Sequence, residues 1–171
     1  MIFYSGFSFT NEADLFDEYL LRDAYTVAGF SYGAIKAAEH VAASSDRIDR
    51  LQLFSPAFFQ DKPEKFKRLQ MMGYKRDHTA YLRQFKQLCC DPYMSIDTLG
   101  DSQTSAAELE ELLYYVWEPK LLEQIKRRGT RIEVYLGSED RIVNAEAARE
   151  FFKQYATVYY IKKANHFLQE K

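Results

Sequence analysis

The sequence predicts an α/β fold with about five mostly parallel strands and a long helical insertion between the third and the fourth. Short runs of aliphatic, β-branched and aromatic residues alternate with helical patterns, which is typical of βαβ crossovers and a parallel sheet. The chain has 171 residues, 47% of them hydrophobic and 28% charged, with seven Gly and four Pro. Because this composition excludes a disordered or low-complexity chain, we expect residues 1–171 to form one domain.

Five segments have the composition of strands. They cover residues 2–4, 25–28, 50–54, 131–136 and 157–161. Helical patterns occupy much of the sequence between them. We predict helices from a cap at Asn11 to Leu21, over residues 32–43, and from a cap at Asn144 to about Tyr155.

The stretch 57–129 interrupts this alternation, because its signal is purely helical. Four helices are predicted there, from capping boxes at 61–64 and 105–108, a cap at Asp77, and a last helix between Pro119 and Gly129. An insertion of this length between two strands is usually functional, and a lid is the common case.

Charge and hydropathy exclude several classes of protein. The net charge of −2 and a pI near 6.0 do not favour a nucleic-acid partner. The longest uncharged apolar stretch, 24–35, is shorter than the roughly 20 residues that a membrane helix needs. The first residues lack the basic leader of a secretory signal, so we expect a cytoplasmic protein. Cys89 and Cys90 are adjacent, and we expect them to be reduced packing residues.

A G-x-S-x-G pattern, Gly29-Phe30-Ser31-Tyr32-Gly33, follows the second predicted strand. By composition alone such a pattern arises in about one chain in twenty of this length, so its context carries the argument. An apolar strand precedes it and a helix follows, as in a nucleophile elbow, where a sharp turn presents the serine. Ser31 is therefore the candidate nucleophile.

A serine nucleophile needs a base and an acid that follow it in the chain. Of the three histidines, only His166 lies in the loop after the last strand, whereas His40 and His78 lie in predicted helices. Asp140, after the fourth strand, is the preferred acid, and its neighbour Glu139 remains an alternative. Non-catalytic interpretations also stay open: a strand-end serine, a turn aspartate and a surface histidine.

Two backbone N–H groups are candidates for an oxyanion hole. One belongs to Tyr32, directly after the nucleophile, and the other to Phe7, in the turn that follows Gly6 and the first strand. The predicted chemistry requires no metal and no cofactor.

These residues resemble those of the α/β-hydrolase superfamily over nearly the whole chain, from Gly6 to His166. More narrowly, the chain is similar to the short BioV-type pimeloyl-acyl-carrier-protein methyl ester esterases of biotin synthesis. Its segment 64–73, EKFKRLQMMG, is similar to the ERFLALQTMG lid segment of the longer esterases of that pathway. The resemblance implies a Ser-His-Asp carboxylesterase whose partner is an acyl-carrier protein, with Phe66 and Gln70 lining the substrate channel.

The chain also departs from that family. Ser5 stands where the family has a histidine, and only about 20 residues separate the oxyanion loop from the elbow, so several strands and a helix of the larger fold are missing. With sequential strands and right-handed crossovers, the helices would crowd onto one face of the sheet. The lid, the C-terminal tail or a second subunit could cover the other face, and the oligomeric state stays open.

The predicted lid is basic. Residues 61–86 contain eight Lys or Arg against three acids, a local net charge of +5. This is the pattern of either a solvated helix face or a surface that docks an acidic carrier. The candidate docking residues are Lys65, Lys67, Arg68, Lys75, Arg76 and Arg83. A thioesterase on the same triad and a non-catalytic carrier-binding protein remain alternative functions.

Overall fold

The structure, a computed structural model, describes residues 1–93 and 99–170. Residues 94–98 of the predicted insertion and Lys171 lie outside the described part. The described strands are β1 (Ile2–Tyr4), β2 (Phe9–Thr10), β3 (Thr26–Phe30), β4 (Arg50–Phe54), β5 (Gly100–Asp101), β6 (Arg131–Gly137) and β7 (Thr157–Ile161). The described α-helices are α1 (Tyr32–Ala43), α2 (Glu64–Arg76), α3 (His78–Cys90), α4 (Ala106–Tyr114), α5 (Pro119–Arg127) and α6 (Ala145–Phe152).

Five strands form one sheet in the order β1, β3, β4, β6, β7, and every neighbouring pair is parallel. The predicted reduced α/β fold with five strands is therefore confirmed. β3 continues to Phe30, so Ser31 follows it directly. Because the strands run in one direction, the loops after β1, β3, β6 and β7 meet at one edge, where α/β proteins bind their ligands.

Helices α1, α5 and α6 pack on the same face of the sheet, as the sequential strand order predicts. Their apolar side chains share one cluster with Leu51 and Leu53 of β4 and with Val134 of β6. These strand residues alternate with residues that point to the opposite face, so each strand contributes to both layers. The layer under the helices is the larger part of the core.

An aromatic layer covers the opposite face near its carboxyl edge. Phe16 stacks on Phe54 with ring centroids 4.6 Å apart and lies 5.1 Å from Phe30. Phe167 from the C-terminal tail and the buried, free Cys89 and Cys90 at the end of α3 complete this cluster. The tail and the lid thus both cover this face, together with the segment 9–20, which was not among the predicted covers.

Most of the predicted helix caps are present. Asp77 accepts a hydrogen bond from the Ala80 N–H, and Asn144 accepts one from the Ala147 N–H. Ser105 and Glu108 form the expected reciprocal capping box. The box at 61–64 is wrong, because α2 begins only after Pro63 and Asp61 lies too far upstream to reach its free N–H groups.

The helix predicted from Asn11 to Leu21 is also wrong. Asn11 adopts a left-handed conformation (φ 63°) with no capping bond, and the segment is a short 3₁₀ helix, Glu12–Phe16. Further along, the side chain of Gln52 in β4 accepts a hydrogen bond from the Leu21 N–H and donates one to the Tyr19 carbonyl. Because these bonds engage the backbone of Tyr19 and Leu21 with the sheet, the predicted helix does not extend through these residues.

The insertion is not purely helical. Its strand β5 pairs antiparallel with β2, so the lid is joined by backbone hydrogen bonds to the loop that follows β1. Within the described residues, no helix is long and apolar enough to span a membrane.

Candidate active site

Ser31 lies at a strained turn between β3 and α1. Its φ of 51° is unusual for a residue with a side chain. A Cβ atom at Gly33 would collide with the carbonyl oxygens of Tyr4 and Ser5, and one at Gly29 would collide with the backbone of Gly33. Only glycine therefore allows the loop after β1 to approach the elbow this closely.

Ser31, His166 and Asp140 form a continuous hydrogen-bonded chain. Nε2 of His166 lies 3.0 Å from Oγ of Ser31, and Nδ1 of His166 lies 2.6 Å from Oδ2 of Asp140. The side chains of His166 and Asp140 are fully buried, and Ser31 is 4% exposed. When Nδ1 donates its proton to Asp140, Nε2 is free to accept the proton of the serine, as a hydroxyl nucleophile requires.

The carboxylate of Asp140 is held from its other side. Its Oδ1 accepts hydrogen bonds from the N–H groups of Ile142 and Val143, at 2.7 and 3.0 Å. Glu139, the alternative acid, instead accepts a hydrogen bond from the Tyr93 hydroxyl. Of the two neighbouring carboxylates, the structure brings Asp140 to His166.

Asn165 fixes the turn that carries His166. Its Oδ1 accepts hydrogen bonds from the N–H groups of Phe167 and Gln169, and its Nδ2 donates to the carbonyl of Cys90 at the end of α3. Asn165 was not predicted as a site residue. Its position immediately before the candidate base, in a short polar turn, was the available signal.

The other two histidines lie away from Ser31. His40 hydrogen-bonds through Nδ1 to the hydroxyl of Tyr4, and the ring of His78 lies near the ring of Tyr74. Neither interaction involves Ser31, so the structure brings only His166 to the candidate nucleophile.

The predicted oxyanion donors lie on the two loops that meet at the elbow. Tyr32 is the first residue of α1, and Phe7 lies in the turn after β1, with its side chain packed against Phe85. Within the described residues, neither N–H group has an acceptor. Neither group is thus engaged within the fold described, as donors to an oxyanion must be, and their assignment to an oxyanion hole stays a prediction.

A clasp that was not predicted from the sequence joins the lid to the elbow. The Tyr32 hydroxyl donates to Oε2 of Glu111 in α4, and Nζ of Lys36 lies 2.5 Å from Oε1 of the same carboxylate. Burial and the bond to Glu111 raise the pKa of Tyr32 to about 12. Burial opposes ionisation of Glu111, but the bonds from Lys36 and Tyr32 outweigh it and lower its pKa.

We expect Glu111→Gln to raise KM about fivefold and to change kcat little, because the clasp holds α4 over the cavity. A fivefold change in KM corresponds to about 1 kcal/mol. This is the value of a charged hydrogen bond after a reduction for the partial solvent exposure of Glu111. Folding lowers the pKa of Glu111. The contribution of the clasp to the free energy of unfolding is therefore complete above the pKa of Glu111 in the unfolded chain, and it is lost as the pH falls through the pKa in the folded protein. Steady-state kinetics at neutral pH and chemical unfolding across the acid range measure both effects.

Glu110→Gln is the matched control, because Glu110 is the exposed neighbour of Glu111 on α4. Equal KM values for the two variants would contradict the clasp. A difference in the free energy of unfolding between wild type and Glu111→Gln that persists in acid would contradict it as well.

A cavity of about 370 Å³ lies among the lid helices and reaches the loops next to the candidate site, although Ser31, Asp140 and His166 are not part of its wall. Phe7 and Ile142 line it from the site, while Phe66, Gln70 and Leu113 line it from the lid. The two predicted substrate-binding residues are thus both at its wall. The side-chain oxygen of Gln70 accepts a hydrogen bond from the Tyr81 hydroxyl, which fixes the orientation of its amide.

The candidate docking residues do not share one environment. Lys65, Arg68, Lys75, Arg76 and Arg83 are exposed on α2 and α3. Lys67 is only 9% exposed, and its Nζ lies over the ring of Tyr114, so placing it on the docking surface was wrong. Lys67 lies on the face of α2 that packs against α4, opposite the exposed docking residues, and its side chain therefore points inward.

In the part of the chain that the structure describes, no group of three or more His, Cys, Asp or Glu side chains is placed to hold a metal ion.

Comparisons with known proteins define the class of fold. No protein-family model matches the sequence, and no curated protein matches it significantly. Solved structures similar to it include a hydrolase from Oleispira antarctica (TM-score 0.66, 15% identity, covering 84% of this chain and 58% of that one). A bromoperoxidase from Bacillus anthracis is similar as well (TM-score 0.63, 17% identity, 84% of this chain and 60% of that one).

A third similar structure is BioG from Haemophilus influenzae (TM-score 0.61, 13% identity), which matches over 97% of this chain and 87% of that one. The chain has the α/β-hydrolase fold in a reduced form. It spans less than two thirds of the hydrolase and the bromoperoxidase but most of BioG. At these identities the likeness concerns the fold, and the narrower resemblance to BioV-type esterases stays a prediction.

Proposed function

We propose that the protein is a cytoplasmic serine carboxylesterase that hydrolyses the methyl ester of pimeloyl-acyl-carrier protein. The observation that carries the esterase assignment is the contact of His166 with both Ser31 and Asp140, beside two N–H groups without acceptors in the described residues. The lid segment 64–73 and the likeness to BioG, a biotin-synthesis protein, support the narrower substrate.

In the first half of the reaction, Oγ of Ser31 attacks the ester carbonyl carbon while Nε2 of His166 takes the serine proton. The N–H groups of Tyr32 and Phe7 donate to the resulting oxyanion, and Asp140 stabilises the imidazolium. The bond from the carbonyl carbon to the methoxy oxygen then breaks. His166 protonates the departing oxygen, which leaves methanol and an acyl group on Ser31.

In the second half, a water molecule attacks the acyl group on Ser31 while His166 accepts a proton from it. Collapse of this second tetrahedral intermediate breaks the bond to the serine oxygen, and His166 returns the proton to Ser31. The free carboxylic acid leaves, and the enzyme is restored. Apart from the ester and the water molecule, every group in these steps belongs to this chain.

The cavity under the lid has a suitable size and lining for an acyl chain. About 370 Å³ falls within the range of small-molecule pockets, and aliphatic and aromatic side chains from three lid helices form much of its wall. In this proposal Phe66 packs against the methylene groups. Gln70, whose oxygen is occupied by Tyr81, offers its amide N–H groups to a carbonyl of the substrate.

The outer face of α2 is the proposed docking surface for the carrier. Met72 is 65% exposed there, and Leu69, which is 54% exposed, lies between this face and the cavity that it also lines. Lys65, Arg68 and Lys75 lie at helical spacing beside them. Apolar contacts flanked by bases fit an acidic protein partner, since charge steers the encounter and apolar area holds the complex.

We expect the double variant Lys65→Glu/Arg68→Glu to raise KM for the carrier-bound ester at least tenfold at low salt, because two charges facing the carrier change sign. The effect should shrink as salt screens the charges. Steady-state kinetics at low and high ionic strength measure it, with a small soluble methyl ester as a second substrate.

Lys126→Glu on α5 is the control, because Lys126 is exposed and α5 packs on α1 and β6 rather than on α2, which carries the proposed docking surface. The docking surface is contradicted if the double variant and the control change KM alike, or if the double variant impairs the small ester to the same extent.

The substrate itself is tested by mass spectrometry of methyl-pimeloyl carrier incubated with the protein. The proposal predicts that the methyl ester becomes an acid while the acyl chain stays on the carrier. Release of the whole acyl chain from the carrier would identify a thioesterase. No change in the carrier, together with intact binding by Ser31→Ala, would identify a non-catalytic carrier-binding protein.

A further inference from the structure

Glu12 is a buried acidic residue that the reaction above does not use. It is 0% exposed, although it begins a short 3₁₀ helix in a polar segment. Its Oε1 accepts a hydrogen bond from the Gly6 N–H at 2.7 Å, and within the described residues its Oε2 has no partner. A buried carboxyl group with one unpaired oxygen is energetically unfavourable, so its retention calls for a physical reason.

The contact with Gly6 lies one residue before the proposed oxyanion donor Phe7. The Gly6 carbonyl accepts a hydrogen bond from the Phe9 N–H at 3.2 Å, so both polar backbone groups of Gly6 are engaged. The carbonyl of Gly6 and the N–H of Phe7 belong to one planar peptide unit and point in opposite directions. Fixing Gly6 from both sides therefore fixes the direction of the Phe7 N–H.

The backbone between Gly6 and Glu12 is folded back in an uncommon way. Ser8 and Asn11 both have positive φ, 69° and 63°, where residues with side chains are rarely found. This path returns the Glu12 carboxyl to Gly6. Strained residues of this kind persist where the surrounding contacts hold them, and they cluster at functional sites.

From these contacts we infer that Glu12 is a positioning residue: it holds the Gly6 N–H, and together with the bond from Phe9 to the Gly6 carbonyl it sets the Gly6–Phe7 peptide so that the Phe7 N–H faces the oxyanion. The inference rests on the proposed esterase chemistry at Ser31, but not on the identity of the ester. What it requires of Glu12 is an acceptor oxygen at this place rather than a negative charge.

The charge of Glu12 is consistent with this role. Burial raises the pKa of Glu12, although the bond from the Gly6 N–H lowers it. Burial thus opposes the charged form of this carboxyl, which lies close to the proposed oxyanion donor. A permanent negative charge there would oppose the developing oxyanion.

The test compares three substitutions by the rate at which a fluorophosphonate labels Ser31. This reagent places an oxygen in the oxyanion hole and needs neither carrier nor acyl chain, so it works whether or not the pimeloyl ester is the substrate. Glu12→Gln keeps the acceptor, Glu12→Leu fills the space without one, and Glu12→Asp withdraws the acceptor by one methylene group. Circular dichroism and thermal unfolding report whether each variant is folded.

We expect Glu12→Gln to label within about threefold of the wild-type rate and Glu12→Leu to label about 100-fold more slowly, as for a misplaced oxyanion donor. The labelling rate of Glu12→Asp should lie between the rates of these two variants. If Glu12→Leu does not fold, Glu12→Asp is compared with Glu12→Gln instead. The buried carboxyl of Glu133 in β6 gives the control, since Glu133→Gln should leave the labelling rate unchanged even if it lowers stability.

Two results would overturn the role of Glu12. The first is a folded Glu12→Leu or Glu12→Asp variant that labels at the wild-type rate. The second is an equal loss in Glu12→Gln and Glu12→Leu, which would show that charge, not the acceptor, matters. Failure of the pimeloyl substrate alone would leave the labelling rates, and hence this inference, unaffected.

Discussion

Ser31→Ala is expected to lower kcat for ester hydrolysis by about 10⁵- to 10⁶-fold, with little change in KM. The substitution removes the nucleophile and leaves the cavity and the lid in place. Without Oγ, His166 has no proton to take from the protein, and only slow attack by water remains. Initial rates with a methyl ester substrate, extended over long incubations for the variant, measure the loss.

The chain offers a matched control in Ser55. This serine follows β4 at the same sheet edge, is fully buried, has a positive φ of 40°, and within the described residues its hydroxyl has no partner. Ser55→Ala should therefore keep kcat within a few-fold of wild type. A comparable loss in both variants would show that Ser31 matters for structure rather than as the nucleophile.

Asp140→Asn is expected to lower kcat by about 10⁴-fold without preventing folding. An amide at this position can donate its N–H to Nδ1 of His166, which shifts the histidine proton to Nε2. Nε2 then cannot accept the serine proton. The measurement is the dependence of kcat on pH, with circular dichroism to show that the variant is folded.

Glu139→Gln is the control for this prediction, because Glu139 is the adjacent carboxylate and contacts Tyr93 rather than His166. It should retain nearly full activity. A larger loss in Glu139→Gln than in Asp140→Asn would assign the acid role to the neighbour and contradict the arrangement described above.

The sheet and the elbow could be predicted from the sequence because their signals are local. Strands buried on both faces appear as short apolar runs, and Ser31 stands between such a run and a helix. The loops that carry Asp140 and His166 follow strands of the same sheet, so chain order alone placed them at one edge. For these elements, local pattern and tertiary structure agree.

The segment between β1 and β3 could not be predicted, because its partners are distant in the chain. Glu12 turns back to Gly6, and Gln52, in β4, binds the backbone of Tyr19 and Leu21. Hydrogen bonds of this kind override the helical preference of the segment. In the sequence, Asn11 before an acidic residue fits a helix cap as well as it fits the left-handed turn that the structure has.

In the lid too, only the local features could be predicted from the sequence. Its helix ends were predicted well at Asp77 and Ser105, where a side chain caps its own helix. The burial of Lys67 and the clasp through Glu111 depend on how the helices pack against one another and against α1. Charge patterns along one helix do not contain that information.

The most direct test of the esterase assignment is peptide mapping after treatment with a fluorophosphonate. The relay of Ser31, His166 and Asp140 predicts one phosphonyl group per chain, located on the peptide that contains Ser31. Label should be absent from Ser31→Ala and strongly slowed in His166→Ala. A wild-type protein that stays unlabelled, or that is labelled at another residue, would contradict the account.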